Sequence, residues 1–206
     1  IRPVLSTTQN NRDHRKICVI DGHTAFTGGV NLADEYINRK VRFGHWKDTA
    51  VMVEGDAAVG FTMMFLQMWG VTEQEKERYE SYLKPADYRL PKDADASGFV
   101  IPYGDSPLDK ENVGEQVYLD ILGHAKKYVH IMTPYLILDD QMINALQYSA
   151  KRGVETIIIM PHIPDKMSAY LLARSYYEEL LTAGVRIFEY TPGFVHGKVF
   201  TCDDEK

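Results

Sequence analysis

The segment ETIIIM, residues 155–160, is apolar on both of its alternating faces. Such a strand is typical of a parallel sheet covered by helices on both sides, because a half-exposed strand would alternate with polar residues. Helix and strand patterns alternate around it, and Gly153 and Gly184 lie where helices are expected to end. The predicted helices are 113–127, 140–152 and 165–183, and the predicted strands are 128–133, 154–160, 185–190 and 195–202. The sequence therefore predicts an α/β fold with a mainly parallel sheet flanked by helices.

A charged stretch with two prolines, residues 72–97, divides the chain. It is predicted to be a partly helical connector between two structured parts, residues 1–71 and 98–206. In the first part the patterns predict a hairpin, a further strand and a helix that Gly70 stops. The hairpin is residues 16–21 and 24–27 with its turn at Gly22-His23, the strand is 48–54, and the helix is 56–69. The helix is apolar around most of its surface, which favours burial in a core over contact with a membrane interface.

Composition narrows the classes of function. With 45% hydrophobic residues among 206, the chain can bury a sizeable core. The formal net charge of -6 gives no basic excess, so we expect no nucleic-acid partner. Cys18 and Cys202 are too few and too far apart for a disulfide framework, and we expect two buried, reduced thiols. The start at Ile1 without a leader pattern, and the lack of an apolar run of about 18 residues, predict a piece of a longer protein with any membrane anchor elsewhere.

The pattern His-x-Lys-x-x-x-x-Asp occurs twice. The first copy is His14, Lys16 and Asp21, and the second is His196, Lys198 and Asp203. Because chance predicts only about 0.03 copies in a chain of this composition, the repetition indicates a functional pattern rather than two polar strand residues.

Each copy is predicted to begin a strand. In a strand, His and Lys at positions i and i+2 project to the same side, so each pair can meet one phosphate group. Asp at i+7 has the opposite parity and points away from the imidazole. For Asp21 and Asp203 we therefore expect structural roles behind the catalytic pairs.

Two His-Lys pairs suit the cleavage of a phosphodiester. One neutral imidazole attacks phosphorus to form a covalent intermediate, while a second, protonated imidazole gives its proton to the leaving oxygen and then activates the acceptor. The two lysines supply positive charge to the non-bridging oxygens. This chemistry needs neither a metal nor another cofactor.

Longer segments around these residues resemble a known family. The segment HRKICVIDGHTAFTGGVNLADEY resembles the first signature of the phospholipase D superfamily, including Gly28, Gly29 and Asn31, and FVHGKVFTCDD resembles the second. The flanking segments VIPYGDSPLD, IMTPYLILDDQMINAL and IIMPHIPDK are similar to those of bacterial cardiolipin synthases.

The resemblance implies transfer of a phosphatidyl group from one phosphatidylglycerol to another, with release of glycerol, at the bacterial cell membrane. It implies His14 as the nucleophile and His196 as the general acid and base. Lys16, Lys198 and Asn31 would bind phosphate, and Asp48 would orient His14. It also implies two similar halves related by a pseudo-twofold axis, both truncated in this chain, so that the chain alone is expected to be an incomplete enzyme.

Alternatives remain open at this point. A phospholipase D-like hydrolase or nuclease would share the first step and use water as acceptor, and a non-catalytic binding fragment would use neither histidine. Tyr135, after a predicted strand, either lines the cleft or packs as an ordinary aromatic residue. His23, His45, His124, His130 and His162 show no ligand spacing and are interpreted as structural or surface residues.

Overall fold

A computed structural model describes residues 13–72, 78–83, 98–106 and 111–206. It contains nine strands and five α-helices within those ranges. The strands are β1 (Ile17–Ile20), β2 (Thr24–Gly28), β3 (His45–Lys47), β4 (Ala50–Glu54), β5 (Tyr128–Met132), β6 (Glu155–Pro161), β7 (Arg186–Tyr190), β8 (Gly193–Val195) and β9 (Val199–Cys202). The helices are α1 (Ala57–Thr72), α2 (Val113–His124), α3 (Asp140–Lys151), α4 (Met167–Ser175) and α5 (Tyr177–Thr182).

The larger sheet has the order β7-β6-β5-β9. Its first three strands are parallel, and β9 pairs antiparallel to β5. The core fills the space between this sheet and its helices, and it includes Leu122, Val129, Leu146, Ile158 and Leu180. Because β6 is apolar on both faces, it lies inside the sheet with neighbours on both edges, as the sequence predicts. The α/β prediction is confirmed.

A smaller antiparallel sheet has the order β1-β2-β4. The predicted hairpin is confirmed, with Ile20 opposite Thr24. One face of this sheet packs on α1 through Ile17, Val19 and Val53, which surround the buried Ala58 and Phe61. Alternation places Cys18 on the other face, where it is exposed. The prediction of two buried thiols is therefore wrong for Cys18 and confirmed for Cys202.

The two sheets are linked by a third pairing that the sequence does not predict. Strands β3 and β8 form a short parallel ladder in which His45, Trp46 and Lys47 face Gly193, Phe194 and Val195. Trp46 and Phe194 are buried, with ring centroids 4.9 Å apart. We call residues 13–72 the N-terminal block and residues 98–206 the C-terminal block. The ladder holds residue 48 of the first block next to residue 196 of the second.

Several predicted boundaries differ from the structure. Helix α1 continues past Gly70 to Thr72, since one glycine inside a helix costs only about 1 kcal/mol. The single helix expected at 165–183 is two helices separated at Tyr176. The strand expected at 195–202 is interrupted at residues 196–198, and the strand expected at 48–54 begins at Ala50. The predicted helix stops at Gly153 and Gly184 are confirmed, with φ of 89° and 99°.

The apolar helix α1 is buried on one side only. Phe61 and Leu66 are 7% exposed, whereas Phe65 and Trp69 are nearly half exposed and stack on each other. Full burial of this helix is therefore not observed. No helix in the described ranges is both long and apolar enough to cross a bilayer. Of the predicted connector, residues 73–77 and 84–97 lie outside the described residues, and residues 79–81 form a short 3-10 helix.

Candidate active site

The two motif copies have the same local geometry. In each copy the His and Lys precede a strand, β1 in the first and β9 in the second, so the prediction that they lie within the strand is wrong. The ammonium of Lys16 donates to the carbonyl of His14 at 2.6 Å, and that of Lys198 donates to the carbonyl of His196 at 2.7 Å. Each copy makes the same hydrogen bond, so each lysine side chain folds back over the histidine of its own motif.

His196 is held rigidly at the junction of the two blocks. Its backbone N–H donates to the carbonyl of Lys47 at 2.7 Å, which continues the β3–β8 ladder by one residue. Its ring packs against Trp46 and Phe194, and Tyr36 meets it edge-on at 5.3 Å between centroids. The side chain is only 9% exposed. These contacts leave the imidazole one orientation.

Asp48 lies behind His196. Its Oδ2 accepts a hydrogen bond from Nδ1 of His196 at 2.8 Å, and its Oδ1 accepts the N–H of Thr49 at 2.8 Å. Because Nδ1 carries the proton in this bond, Nε2 is the nitrogen left for chemistry. The sequence-based expectation placed Asp48 behind His14, and this is wrong: the β3–β8 ladder carries Asp48 across to the histidine of the other block.

The carboxylate of Asp48 is kept ionised in a place where only 3% of its side chain is exposed. Burial by itself would raise the pKa of Asp48, but the hydrogen bonds from His196 and Thr49, together with the Trp46 indole at 3.4 Å, outweigh that effect and lower the pKa. Asp48 therefore places a buried negative charge next to the ring of His196.

Gly29 makes room for this carboxylate. A Cβ atom at residue 29 would overlap the Asp48 side chain and would lie 3.0 Å from the carbonyl oxygen of His196. The Gly29 N–H also donates to the Thr49 carbonyl at 3.0 Å. Glycine is therefore required at this position by the close approach of the two blocks.

The first histidine has a different environment. Loss of hydration lowers the pKa of His14 below its ordinary value of 6.5, and the cations Lys16, Lys198 and Lys166 lower it further. The lowered pKa favours the neutral imidazole of His14, whereas His196 has the Asp48 carboxylate behind it. The two histidines are chemically distinct.

The motif lysines share the cleft between the blocks. Desolvation lowers the pKa of Lys198 to about 8, against the opposing attraction of Asp48, and desolvation also lowers the pKa of Lys16. The Lys198 ammonium lies 3.2 Å from Nε2 of His196. A cavity of about 320 Å³ is lined by His14, Lys16, Gly29 and, from the other block, Lys198. We call it the motif cleft. Two ammonium groups in one cleft form a site for an anion.

The remaining predicted residues lie behind the cleft. Asp203 accepts hydrogen bonds from the backbone N–H groups of Lys126, Lys127 and Tyr128 at 2.7–2.9 Å, which ties the end of β9 to the start of β5. Asp21 has nearly the same left-handed backbone as Asp203, with φ of 51° and 54°. Neither aspartate lines the motif cleft.

Asn31 does not face an open anion site in this structure. Its side-chain amide donates to the hydroxyl of Tyr36, the residue whose ring packs on His196. Phosphate binding by Asn31 therefore stays a prediction.

The sequence did not single out several residues of this region. Trp46 and Tyr36 form the walls around His196, and no motif marks them. Tyr135 donates to Oδ2 of Asp165 at 2.7 Å, and Oδ1 of Asp165 is buried with no hydrogen-bond partner among the described residues. Tyr135 lines a cavity together with Lys198, which favours the first of its two interpretations.

Comparison with known proteins shows which families and folds this chain resembles. Residues 118–206 match the family described as "Cardiolipin synthase, PLD-like domain". The fold resembles that of a phosphatidylserine synthase from Haemophilus influenzae, with a TM-score of 0.56, 17% identity, and coverage of 93% of this chain and 52% of that one. Residues 118–206, fewer than half of the chain, are thus similar to phospholipase D-like domains.

The chain is also similar to bacterial cardiolipin synthases. It is 37% identical to the cardiolipin synthase of Alkalihalophilus pseudofirmus over 98% of its own length and 40% of that enzyme, and 36% identical to cardiolipin synthase 2 of Bacillus cereus over 98% and 39%. An uncharacterized protein of Streptococcus mutans serotype c is 58% identical over the whole chain, which covers 44% of that protein. The chain thus spans less than half the length of these relatives.

Proposed function

We propose that this chain forms the catalytic cleft of a cardiolipin synthase, which transfers a phosphatidyl group between two phosphatidylglycerol molecules and releases glycerol. The observation that carries the proposal is the meeting of His14 and Lys16 with Lys198 in one cleft, beside His196, whose ring is hydrogen-bonded to Asp48. The similarity to cardiolipin synthases supports the choice of substrates.

In the first step, Nε2 of His14 attacks phosphorus. The bond between phosphorus and the glycerol oxygen breaks, and Nε2 of His196 gives its proton to that oxygen so that glycerol leaves as an alcohol. Lys16 and Lys198 hold the non-bridging oxygens, and Asn31 reaches them after exchanging its hydrogen bond to Tyr36. The product of this step is a phosphatidyl-histidine.

In the second step, His196 takes the proton from a hydroxyl group of the second phosphatidylglycerol. That oxygen attacks phosphorus, and the bond between phosphorus and Nε2 of His14 breaks. The two steps conserve protons, because the proton given to glycerol is recovered from the acceptor. Asp48 stabilises the imidazolium at both ends of the cycle.

The lipid substrates place the reaction at the surface of the bacterial cell membrane. A hydrolase of the same superfamily would use the same first step and water in the second. Nucleic acid is a poor substrate for a chain with a formal net charge of -6.

The test uses the full-length protein that contains this chain, incubated with phosphatidylglycerol. Cardiolipin and glycerol in equal amounts are the expected products, and phosphatidic acid without cardiolipin would identify a hydrolase. His14→Ala and His196→Ala are expected to abolish turnover, while His124→Ala, at an exposed position on α2, serves as the matched control. Trapped phosphohistidine is expected at residue 14, and label at residue 196 would reverse the two roles. Unchanged turnover in both variants would end the enzymatic proposal.

A further inference from the structure

A second cavity, of about 540 Å³, opens beside Lys198. We call it the side cavity. It lies between α2, α3 and the adjoining ends of β5 and β9, and its size is in the range of small-molecule sites, about 300–1,000 Å³. Its inner wall belongs to the hydrophobic core: Ile131, Leu136 and Leu146 are each less than 5% exposed. The cavity therefore runs from a charged entrance into an aliphatic interior.

The side cavity adjoins the motif cleft. Lys198 and Tyr103 line both of them. A phosphodiester held by the ammonium of Lys198 would lie where the two cavities adjoin. One of its two ester substituents could then enter the side cavity.

The residues that line the side cavity indicate which part of a phosphodiester it can hold. Most of the lining is aliphatic or aromatic, with Met142, Leu138 and Phe200 among its members. The carboxylate of Asp105 also lines it and is engaged by the N–H of Gly114 at 2.9 Å, and Glu115 lies next to it. These two anions repel a phosphate, so the phosphate stays at the Lys198 end and the apolar part of the molecule occupies the interior.

We infer that the side cavity binds an acyl chain of the phosphatidyl donor, and that Met142 helps to set the chain length accepted there. This inference rests on the proposed function, since only a lipid diester carries a substituent of this kind. Met142 is half-buried on α3 and lines the cavity without belonging to the fully buried core. Since Met142 packs on the edge of the core and is not itself fully buried, we expect a larger side chain there to fill part of the cavity.

The experiment compares Met142→Trp and Met142→Ala in the full-length protein with Met167→Trp, the same exchange at a residue of α4 that is 60% exposed and outside the cavity. Three phosphodiesters are assayed: dioleoyl and dihexanoyl phosphatidylglycerol in mixed micelles, and bis(p-nitrophenyl) phosphate, which has no acyl chain. We expect Met142→Trp to lower kcat/KM for the dioleoyl lipid by about tenfold or more, with much smaller changes for the dihexanoyl lipid and the soluble diester. Met142→Ala is expected to shift the preference toward longer or bulkier chains, and Met167→Trp to change none of the ratios.

Equal losses on all three substrates in Met142→Trp, together with an unchanged chain-length preference in Met142→Ala, would overturn the inference. A dependence of either variant on the headgroup of the lipid rather than on its acyl length would also overturn it, because the cavity would then hold the glycerol. Failure of the wild-type protein to cleave any of the three diesters would instead count against the proposed function.

Discussion

The carboxylate of Asp48 and the imidazole of His196 are joined by a 2.8 Å hydrogen bond although 148 positions separate them in the chain. Asp48 follows β3, and His196 follows β8, and these are the two strands that pair in parallel between the blocks. One short ladder therefore determines the tautomer of His196, the general acid and base of the proposed mechanism. The contact also distinguishes the two histidines, because among the described residues His14 has cations near it and makes no hydrogen bond to a carboxylate.

Replacement of Asp48 by Asn is expected to lower kcat for phosphatidylglycerol by about 10²-fold or more, since the amide cannot stabilise the imidazolium of His196. The loss should be much smaller for a phosphatidyl ester of p-nitrophenol, whose leaving group needs no proton. The measurement is steady-state turnover of both substrates by Asp48→Asn and by the exposed control Asp34→Asn. Equal losses on both substrates would show that Asp48 does not act through proton transfer by His196.

Lys198 gives the affinity for a phosphodiester a pH dependence. Because burial lowers its pKa to about 8, the ammonium loses its charge as the pH rises through that region. Part of the side chain remains exposed, so we expect the transition at about pH 8 or somewhat above. The Kd of dimethyl phosphate, whose charge is constant in this range, should rise there in the wild-type protein. In Lys198→Arg, which stays charged, it should remain flat. A parallel rise in both proteins would assign the effect to another group.

Gly29→Ala is expected to abolish most activity while leaving the fold intact, because the added methyl group displaces Asp48 from His196. The matched control is Gly123→Ala on α2, where a Cβ meets nothing within 4 Å. The measurements are the thermal unfolding temperature and the turnover of both variants, and only Gly29→Ala should lose turnover. If Gly29→Ala kept normal turnover, the close packing of residue 29 on Asp48 would not matter for catalysis.

Asp203 is expected to contribute to stability rather than to chemistry. Its pKa is held below the ordinary 3.8 chiefly by the N–H of Tyr128 and then by those of Lys126 and Lys127. A carboxyl group whose pKa is lower in the folded state stabilises the fold fully above about pH 4, and this stabilisation is lost as the pH falls below that value. Asp203→Asn should therefore unfold at a lower temperature than the wild type at pH 7, and the difference should shrink at acid pH. A pH-independent difference would point to packing instead of charge.

Much of the fold follows from local patterns. The ETIIIM strand and the glycines at residues 153 and 184 predicted the parallel strands. Burial on both faces requires a run of apolar residues, and a left-handed backbone favours glycine, so both features can be recognised in the sequence. No comparable sequence pattern predicted the β3–β8 ladder. It has three residues on each side, and its partners are distant in sequence.

In the candidate site, the sequence predicted only the residues that belong to the repeated motif. Both His-Lys pairs were recognised because the same spacing occurs twice, but a single aspartate gives no sign of which histidine it will meet. Asp48 was for that reason placed on the wrong imidazole. Tyr36 and Trp46 pack on His196 through ordinary aromatic contacts, which have no spacing rule at all.

The ladder between β3 and β8 also has a consequence for biosynthesis. Until the ribosome has released residues 193–196, a nascent chain holds Asp48 and His14 but lacks the strand that brings in the second imidazole. In the proposed mechanism, attack by His14 therefore lacks its proton donor until the late strand has docked on the early one.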